Sequence, residues 1–344
     1  MKKWLKRIGL GVIVLIIVFC VWNFQMIRYG LFQLEGQLHV VNNTVPLDEY
    51  IANPSTPDSL RQKALLVNQI RSFAFDSLAI NYSDNYTEIF DQQGKASMYV
   101  VTACDPYSFT PKTWKFPIVG KFPYKGFFDR QKAVDLANEI KEKDSLDVGV
   151  RTAGGWSTLG WFKDPILSNM LNRSEGDLAS LLIHELTHGT LFVKDSVTFN
   201  ENLASFIGDR GAIMYLSSKY GEGAPEVLQY QSEIVDEELF KAYILKAAKS
   251  LDSLYTSMKD LPIAEKKELK KNKIDQIRTN FGRLGFKSEV YKGFFETYVP
   301  NNTFFMSYLR YNSQQQVLRD ELNLKYQGDL KRYLEYLKSK YPSL

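Results

Sequence analysis

The segment His184-Glu185-Leu186-Thr187-His188 constrains this chain more than any other feature. Leucines recur around it at helical spacing, namely Leu178, Leu181, Leu182 and Leu186. Ser174 followed by Asp177 is typical of a helix N-terminus, so the segment is predicted to lie on an amphipathic helix. At about 100° per residue, His184 and His188 share one face and lie about 6 Å apart along the axis. Both imidazoles can therefore reach one metal ion.

The same residues carry the chemistry of metal-dependent hydrolysis. Two neutral imidazoles bind Zn²⁺, and Glu185 is placed to act as general base on a zinc-bound water. The chain has only three histidines, which makes a chance occurrence of the pattern improbable, on the order of one in several hundred. We therefore predict a zinc site that includes His184 and His188, with Glu185 as a catalytic residue.

A catalytic zinc site usually takes three protein ligands and leaves one position open. Glu201 is the nearest candidate, in the first turn of a second helix predicted to begin near Thr198. Antiparallel packing of this helix on the first would bring Glu201 back to the histidines. Two alternatives remain at this point. Thr198 and Glu201 also have the spacing of a capping box, and Asp195 and Asp209 are competing carboxylates.

Several segments carry a resemblance to a known family: Gly155–Pro165, the HELTH segment, Phe199–Ala204, Pro111–Pro117, Phe122–Asp129 and Gly36–Leu38. In these motifs the chain resembles the bacterial putative aminopeptidase family, whose members look like zinc metallopeptidases of the gluzincin type. The resemblance covers nearly everything after the N-terminal apolar segment and implies a peptidase fold, a zinc site and a peptide substrate. The chain departs from the better-known gluzincin aminopeptidases because it has no Gly-x-Met-Glu-Asn motif to hold a free amine. Exopeptidase and endopeptidase specificity both stay open.

The N-terminus is predicted to be a signal anchor. Basic residues at Lys2, Lys3, Lys6 and Arg7 precede an apolar run over residues 8–22, which at about 1.5 Å per residue spans about 22 Å of a hydrocarbon core of about 30 Å. No small-x-small cleavage pattern follows, and bulky Phe19 precedes Cys20 where lipidation needs a small residue. We expect residues 1–25 to stay as an anchor and residues 26–344 to form an extracytoplasmic catalytic domain. A cleaved or lipidated signal is the alternative.

Composition is that of a folded body. Hydrophobic residues make up 44% of the chain and the net charge is only +4, which argues against a nucleic-acid partner. Cys104 is the only cysteine outside the apolar run, so the body has no intramolecular disulfide, and Cys104 is predicted to be a core residue.

Patterning along the chain predicts a predominantly helical α+β protein in which a zincin-like helix pair packs on a small sheet. Helices are predicted within 47–80, 129–142 and 226–258 and from Asn301 through Val317, and strands over 96–103, 148–151 and 156–159. Residues 106–123 are predicted to be irregular. The stretch 154–162 is either an edge that pairs with substrate or a glycine turn, and Arg151 and Asp164 beside it are either cleft or surface residues.

One further catalytic residue is expected on the helix after Asn301. The family has a paired asparagine before a helix that bears tyrosine, and either Tyr308 or Tyr311 could stabilise the oxyanion. We select Tyr311 as the second catalytic residue. The expected function is a zinc-dependent peptidase that carries the aminopeptidase label of the family. The alternative is a non-catalytic envelope binding or scaffold protein, against which Glu185 argues, because a structural zinc site needs no general base.

Overall fold

A computed structural model describes residues 2–116, 120–153, 163–286 and 291–341, which fall into two units, residues 1–44 and 45–344. The first unit contains helices α1 (Lys2–Trp22) and α2 (Phe24–Asn42). Within the described ranges, no single helix is long and apolar enough to cross a membrane. The stretch Lys6–Trp22 and α2 pass that test only together, as a pair bent by 81°.

The second unit is mostly helical. Its helices are α3 (Leu47–Ala52), α4 (Asp58–Ser77), α5 (Arg130–Asp144), α6 (Glu175–Thr190), α7 (Val197–Tyr220), α8 (Pro225–Ser257), α9 (Ile263–Phe281), α10 (Phe294–Thr297), α11 (Asn302–Asn312), α12 (Gln315–Tyr326) and α13 (Leu330–Lys340). A short 3-10 helix at Ser168–Asn172 precedes α6. With the small sheets described next, these helices confirm the predicted α+β class.

The strands of the described chain are β1 (Thr44–Pro46), β2 (Glu88–Phe90), β3 (Tyr99–Cys104), β4 (Trp114–Phe116), β5 (Gly120–Phe122), β6 (Lys125–Phe127), β7 (Asp147–Thr152) and β8 (Ile166–Leu167). They form three small sheets in the orders β1-β2-β8, β6-β3-β7 and β4-β5. β3 is antiparallel to both β6 and β7, with Tyr99 opposite Thr152 and Cys104 opposite Asp147. Cys104 is fully buried in this sheet, as predicted.

Most of the predicted elements are confirmed. The helical pattern over 47–80 is α3 and α4, the pattern over 129–142 is α5, and the pattern over 226–258 is α8. The predicted strands at 96–103 and 148–151 are β3 and β7. The predicted strand at 156–159, like the whole stretch 154–162, lies outside the described residues.

Two predictions are wrong. The supposedly irregular stretch 106–123 contains the β4–β5 hairpin, in which the rings of Phe116 and Phe122 meet edge to face 6.0 Å apart. Cross-strand aromatic contacts of this kind stabilise a hairpin despite nearby prolines. The helix from Asn301 does not reach Val317, because α11 ends at Asn312 and a new helix begins at Gln315.

Buried side chains in the described part of the second unit form two hydrophobic cores. The first core surrounds α4, α6 and α7 and includes Leu78, Leu182, Ile183, Leu203 and Ile207. The second core is rich in aromatic side chains and includes Phe240, Phe281, Phe286, Phe295 and Phe305. Helix α8 contributes to both, with Val227 and Tyr230 in the first core and Phe240 to Tyr255 in the second.

Helices α6 and α7 pack closely and run antiparallel. Glu175 at the start of α6 pairs with Lys219 at the end of α7, at 2.8 Å, and Ser180 donates to Asp209 midway, also at 2.8 Å. Gly208 makes the close approach possible, because a Cβ atom there would lie 2.7 Å from the carbonyl oxygen of Ser180. The C-terminal end of α6 therefore meets the N-terminal end of α7.

Candidate metal centre

The two histidines of the HELTH segment lie side by side near the end of α6. The helix begins as predicted, with the Ser174 side chain accepting a hydrogen bond from the backbone of Asp177 at 3.1 Å. The Nε2 atoms of His184 and His188 are 3.1 Å apart. One face of the helix thus presents two imidazole nitrogens to a common point.

Glu201 completes a three-residue group. Its Oε2 atom lies 3.5 Å from Nε2 of His184 and 3.4 Å from Nε2 of His188. One donor atom from each residue lies within 4.8 Å of the other two, a cluster of the kind that can hold a metal ion. Antiparallel packing brings α7 back to the histidines in the way expected from the sequence.

The other candidates for the third metal ligand contact residues away from the histidines. Helix α7 begins at Val197, before Thr198, and no side-chain cap closes it. Asp195 accepts a hydrogen bond from the backbone of Lys121 at 2.8 Å. Asp209 accepts from Ser180 and lies 3.6 Å from the ammonium of Lys241. Among the described carboxylates considered from the sequence, Glu201 is the one that faces the histidines.

The electrostatics of the group favour a cation. Burial would raise the pKa of Glu201, but the charge of His188 and hydrogen bonds from both histidines hold it well below its usual range. Burial lowers the pKa of His188, and the Glu201 carboxylate more than reverses this effect. A buried carboxylate is thus kept ionised beside two imidazoles, which is the donor set of many catalytic zinc sites.

Outer contacts of the histidines also suit a metal. The hydroxyl of Ser205 on α7 lies 3.4 Å from Nδ1 of His184 and can fix the orientation of that ring. Nδ1 of His188 is buried, and the described part of the chain offers it no hydrogen-bond partner. The residues present therefore fit Zn²⁺, with Nε2 of each histidine and a carboxylate oxygen of Glu201 as donors.

Glu185 is buried next to the group. Burial raises its pKa, the charges of His184 and His188 lower it, and the nearby Glu201 raises it again, with a net increase. Tyr86 is buried nearby: desolvation and then the charge of Glu185 raise its pKa well above the usual value. Its hydroxyl has no hydrogen-bond partner among the described residues. No pattern in the sequence predicts that Tyr86 lies beside Glu185.

Tyr311 lies at the centre, and Tyr308 does not. The Tyr311 ring stacks near His184, with centroids 6.3 Å apart and an angle of 27° between the planes. The ring of Tyr308 instead packs 5.5 Å from Phe240 in the second core. Arg151 is exposed, and its Nη2 atom donates to the Tyr311 hydroxyl at 3.3 Å, which places it beside the histidines.

Asp164, the other residue considered beside the 154–162 stretch, is a buried structural residue. Its carboxylate accepts from the side chain of Asn85 at 3.2 Å, and its backbone amide donates back to that side chain at 3.1 Å. Asp164 is therefore neither a cleft residue nor a surface residue.

Asn200 and Asn202, on either side of Glu201, fix the first turn of α7. Neither was assigned a role from the sequence. Asn200 closes the loop before α7. Its side chain accepts a hydrogen bond from the backbone amide of Val193 at 2.9 Å and donates one to the carbonyl of Val193 at 2.8 Å. Asn202 donates to the carbonyls of Thr198 and Arg310. The signal was present in the Asn-Glu-Asn sequence around Glu201, but its meaning depends on distant partners.

The β4–β5 hairpin lies beside the last turn of α6. Phe122 of β5 stacks on Phe192 with centroids 6.4 Å apart, and Phe192 in turn lies 6.4 Å from the ring of His188. The bond between the Lys121 backbone and Asp195 ties the same strand to the loop between α6 and α7. The rings of Phe122 and Phe192 therefore flank the candidate metal centre.

Arg310, the residue before Tyr311 on α11, also lies near this group. Arg310 is only 4% exposed, and its guanidinium lies over the ring of Tyr124, 5.5 Å from the centroid. Burial raises the pKa of Tyr124 well above its usual value, and the charges of Glu201 and Tyr311 raise it further. Neither Arg310 nor Tyr124 was predicted from the sequence to belong to the site.

The sequence matches the family described as Putative aminopeptidase over residues 28–340. The chain belongs to the putative aminopeptidase family. The match includes α6 and α7, and the family description indicates a peptidase that hydrolyses peptide bonds. No curated protein and no solved structure matches the chain significantly.

Membership in the putative aminopeptidase family confirms the family resemblance read from the sequence motifs. The family description names the class of reaction and leaves the metal and the mechanism unstated. Those two points rest on the residues of the centre.

Proposed function

We propose that this member of the putative aminopeptidase family is a zinc-dependent peptidase of the gluzincin type, in which α6 and α7 form a zincin-like core. His184, His188 and Glu201 would hold Zn²⁺. The observation that carries the proposal is the convergence of their three donor atoms, from two antiparallel helices, within 4.8 Å of one another. Glu185, the next residue after His184 on the same helix, supplies a general base.

Zinc, when bound at such a site, polarises a peptide carbonyl and increases the acidity of water. Residues of the chain would carry out the proton transfers and stabilise the oxyanion. Glu185 takes a proton from the attacking water and delivers it to the leaving amine. The burial that raises its pKa makes the carboxylate a stronger base than one in solvent.

Tyr311 is proposed to stabilise negative charge on the substrate. Its hydroxyl accepts a hydrogen bond from Arg151, so its own proton is free to point towards a carbonyl oxygen. A donor held in place before the reaction stabilises the developing oxyanion without reorganisation. The stacking of its ring near His184 supports this position.

The test compares the wild-type protein with Glu185→Gln. Metal content and hydrolysis of a panel of aminoacyl and N-blocked peptides are measured on both. We expect the variant to keep its zinc and to lose about 10²- to 10⁴-fold in kcat, the usual contribution of general acid–base catalysis. Glu175→Gln is the matched control, because it makes the same change on the same helix, where the carboxylate pairs with Lys219.

The outcomes separate the candidate functions. Hydrolysis that survives Glu185→Gln contradicts the mechanism. A zinc-loaded wild-type protein that cleaves no peptide favours the alternative, a non-catalytic envelope binding or scaffold protein. Equal rates on free-amine and N-blocked peptides would show that the protein is a peptidase without aminopeptidase specificity.

We also propose that residues 1–25 anchor the protein in a membrane with the catalytic body on the extracytoplasmic side. The basic residues before the apolar run support this orientation. Cell fractionation and protease accessibility of the body in intact spheroplasts test it. Recovery of the full-length protein in the soluble fraction contradicts it.

A further inference from the structure

Two arginines lie beside the metal centre without a carboxylate partner. Arg151 is on β7 and Arg310 is on α11. In the part of the chain that the structure describes, no carboxylate forms an ion pair with either guanidinium, and Nη1 of Arg310 is buried without a hydrogen-bond partner. The stretches that adjoin β5 and β7 in the sequence, 117–119 and 154–162, contain no Asp or Glu.

Arg310 is unfavourably placed in the free protein, because a buried charge without a counter-charge loses its hydration and gains little in return. The aromatic face of Tyr124, whose centroid lies 5.5 Å from the Arg310 guanidinium, compensates this charge only in part, whereas Arg151 also has the Tyr311 ring at 5.7 Å and the Tyr311 hydroxyl. Burial lowers the pKa of Arg310, and the charge of Arg151 lowers it further, so the two cations lie close enough to repel each other.

Metal binding would leave the arginines still less compensated. Glu201 is the carboxylate whose charge acts on both arginines in the metal-free site. Once Glu201 holds a divalent cation, the group of two arginines and one metal ion outweighs the negative charges of Glu185 and Glu201. The excess is positive and lies next to the place where a substrate carbonyl must sit. An anion that arrives with the substrate would neutralise it.

We propose that Arg151, supported by the buried Arg310, forms a carboxylate-binding subsite beside the metal centre, so that preferred peptides present a carboxylate near the cleaved bond. The proposal rests on the proposed peptidase function. Arg151 is exposed and can contact the carboxylate with its planar fork, whereas the buried Arg310 contributes a nearby positive charge. The carboxylate is either the C-terminal group of a short peptide or an acidic side chain.

Binding measurements test the subsite without requiring catalysis. Four N-acetylated tripeptides are titrated by calorimetry: Ala-Ala-Ala with a free C-terminus, the same peptide as its amide, and the amides of Ala-Glu-Ala and Ala-Gln-Ala. The full-length protein is used in two forms, metal-free wild type and zinc-loaded Glu185→Gln. The metal-free form excludes direct coordination of the probe carboxylate by zinc.

We expect one carboxylate probe to bind about tenfold to a hundredfold more tightly than its neutral partner. A preference for free Ala-Ala-Ala identifies the C-terminal group, and a preference for the Glu peptide identifies the side chain. Arg151→Gln should abolish the preference and Arg151→Lys should retain a part of it, because lysine keeps the charge and loses the fork. Arg332→Gln, the same change at an exposed position of α13, should leave the preference intact.

Two results overturn the subsite: equal affinity for charged and neutral probes in the wild-type protein, or an undiminished preference in both Arg151 variants. The failure of the proposed function looks different. In that case the protein takes up no zinc or hydrolyses nothing, while the metal-free form still prefers the carboxylate probe.

Discussion

The side-chain amide of Asn202 donates a hydrogen bond to the backbone carbonyl of Arg310, the residue before Tyr311. The same side chain accepts a hydrogen bond from the backbone amide of Gln314 at 2.8 Å and is completely buried. Asn202 follows Glu201 directly. One polar side chain therefore joins the turn that carries Glu201, the acidic member of the candidate metal centre, to the turn that carries Tyr311.

Removal of this link should loosen the centre. In Asn202→Ala the buried carbonyl of Arg310 stays without a partner and the half-buried amide of Gln314 loses its acceptor, so we expect the free energy of unfolding to fall by about 1–3 kcal/mol. Urea denaturation measures the change. Asn202→Asp is the matched variant, because it keeps an acceptor for Gln314 and loses the donor to Arg310. Unchanged stability in both variants would show that the link is dispensable.

Gly208 should tolerate no side chain. The Cβ of Gly208→Ala would lie 2.7 Å from the carbonyl oxygen of Ser180 and 3.2 Å from the Cβ of His184, so α7 must move away from α6. Overpacking of this kind costs about 1–3 kcal/mol, and the displacement of His184 from Glu201 should weaken zinc binding as well. Thermal unfolding and zinc titration report the two effects.

The control for that change lies on the partner helix. Gly189→Ala on α6 meets no atom within 4 Å, and the position is exposed and helical. Alanine is the better helix former by about 0.8–1.0 kcal/mol, so this variant should gain stability and keep its zinc affinity. Equal losses in Gly208→Ala and Gly189→Ala would contradict the close-packing explanation.

Arg310 should reduce the stability of the free protein. Its replacement by methionine removes a buried charge that has no described counter-ion and keeps most of the side-chain volume, so we expect the free energy of unfolding to hold or to rise by about 1–4 kcal/mol. Lys241→Met is the contrasting variant, since Lys241 is paired with Glu237 at 2.9 Å and should lose stability when replaced. A loss in Arg310→Met as large as that in Lys241→Met would mean that Arg310 is compensated in the fold.

Cys104 should be inert in the folded protein. Burial, followed by the charges of Asp147 and Asp105, raises the pKa of its thiol from 9.0 to about 12. In a Cys20→Ser background we expect thiol labelling at pH 8 to be at least about a hundredfold slower than after unfolding in urea, because only the thiolate reacts. Rapid labelling of the native protein would contradict the buried position.

The raised pKa of Cys104 also makes the stability of the protein depend on pH. Because the folded pKa of Cys104 lies above the unfolded one, the protonated thiol favours the folded state. Its contribution is complete below about pH 9 and is lost as the pH rises towards 12. Urea denaturation of Cys104→Ala should therefore show a weaker loss of stability across this alkaline range than the parent protein.

Local patterns in the sequence predicted the elements that depend on local physics. The period of the leucines placed the histidines on α6, and the antiparallel expectation placed Glu201 opposite them. The aromatic hairpin β4–β5 was missed because cross-strand ring contacts join residues that no local pattern connects. Asn202 and Arg310 were missed for a similar reason, since more than a hundred residues separate each from the other.

Tyr308 and Tyr311 also show that local sequence patterns do not predict which side chain faces the candidate metal centre. Three positions apart on one helix, they differ by about 60° around its axis, which is enough to turn one towards Phe240 and the other towards His184. The sequence places both on α11. The rotation of that helix is set by buried contacts such as those of Asn302, which accepts from Tyr255 at 2.7 Å and donates to the carbonyl of Asp105 at 2.9 Å.

Helix α8 belongs to both hydrophobic cores without a break. Neither half of the body can lose its packing while that helix keeps its own, so heat or urea should remove both in one cooperative transition. A substitution among the distant aromatic rings should therefore change how often the whole second unit unfolds, and with it the candidate metal centre.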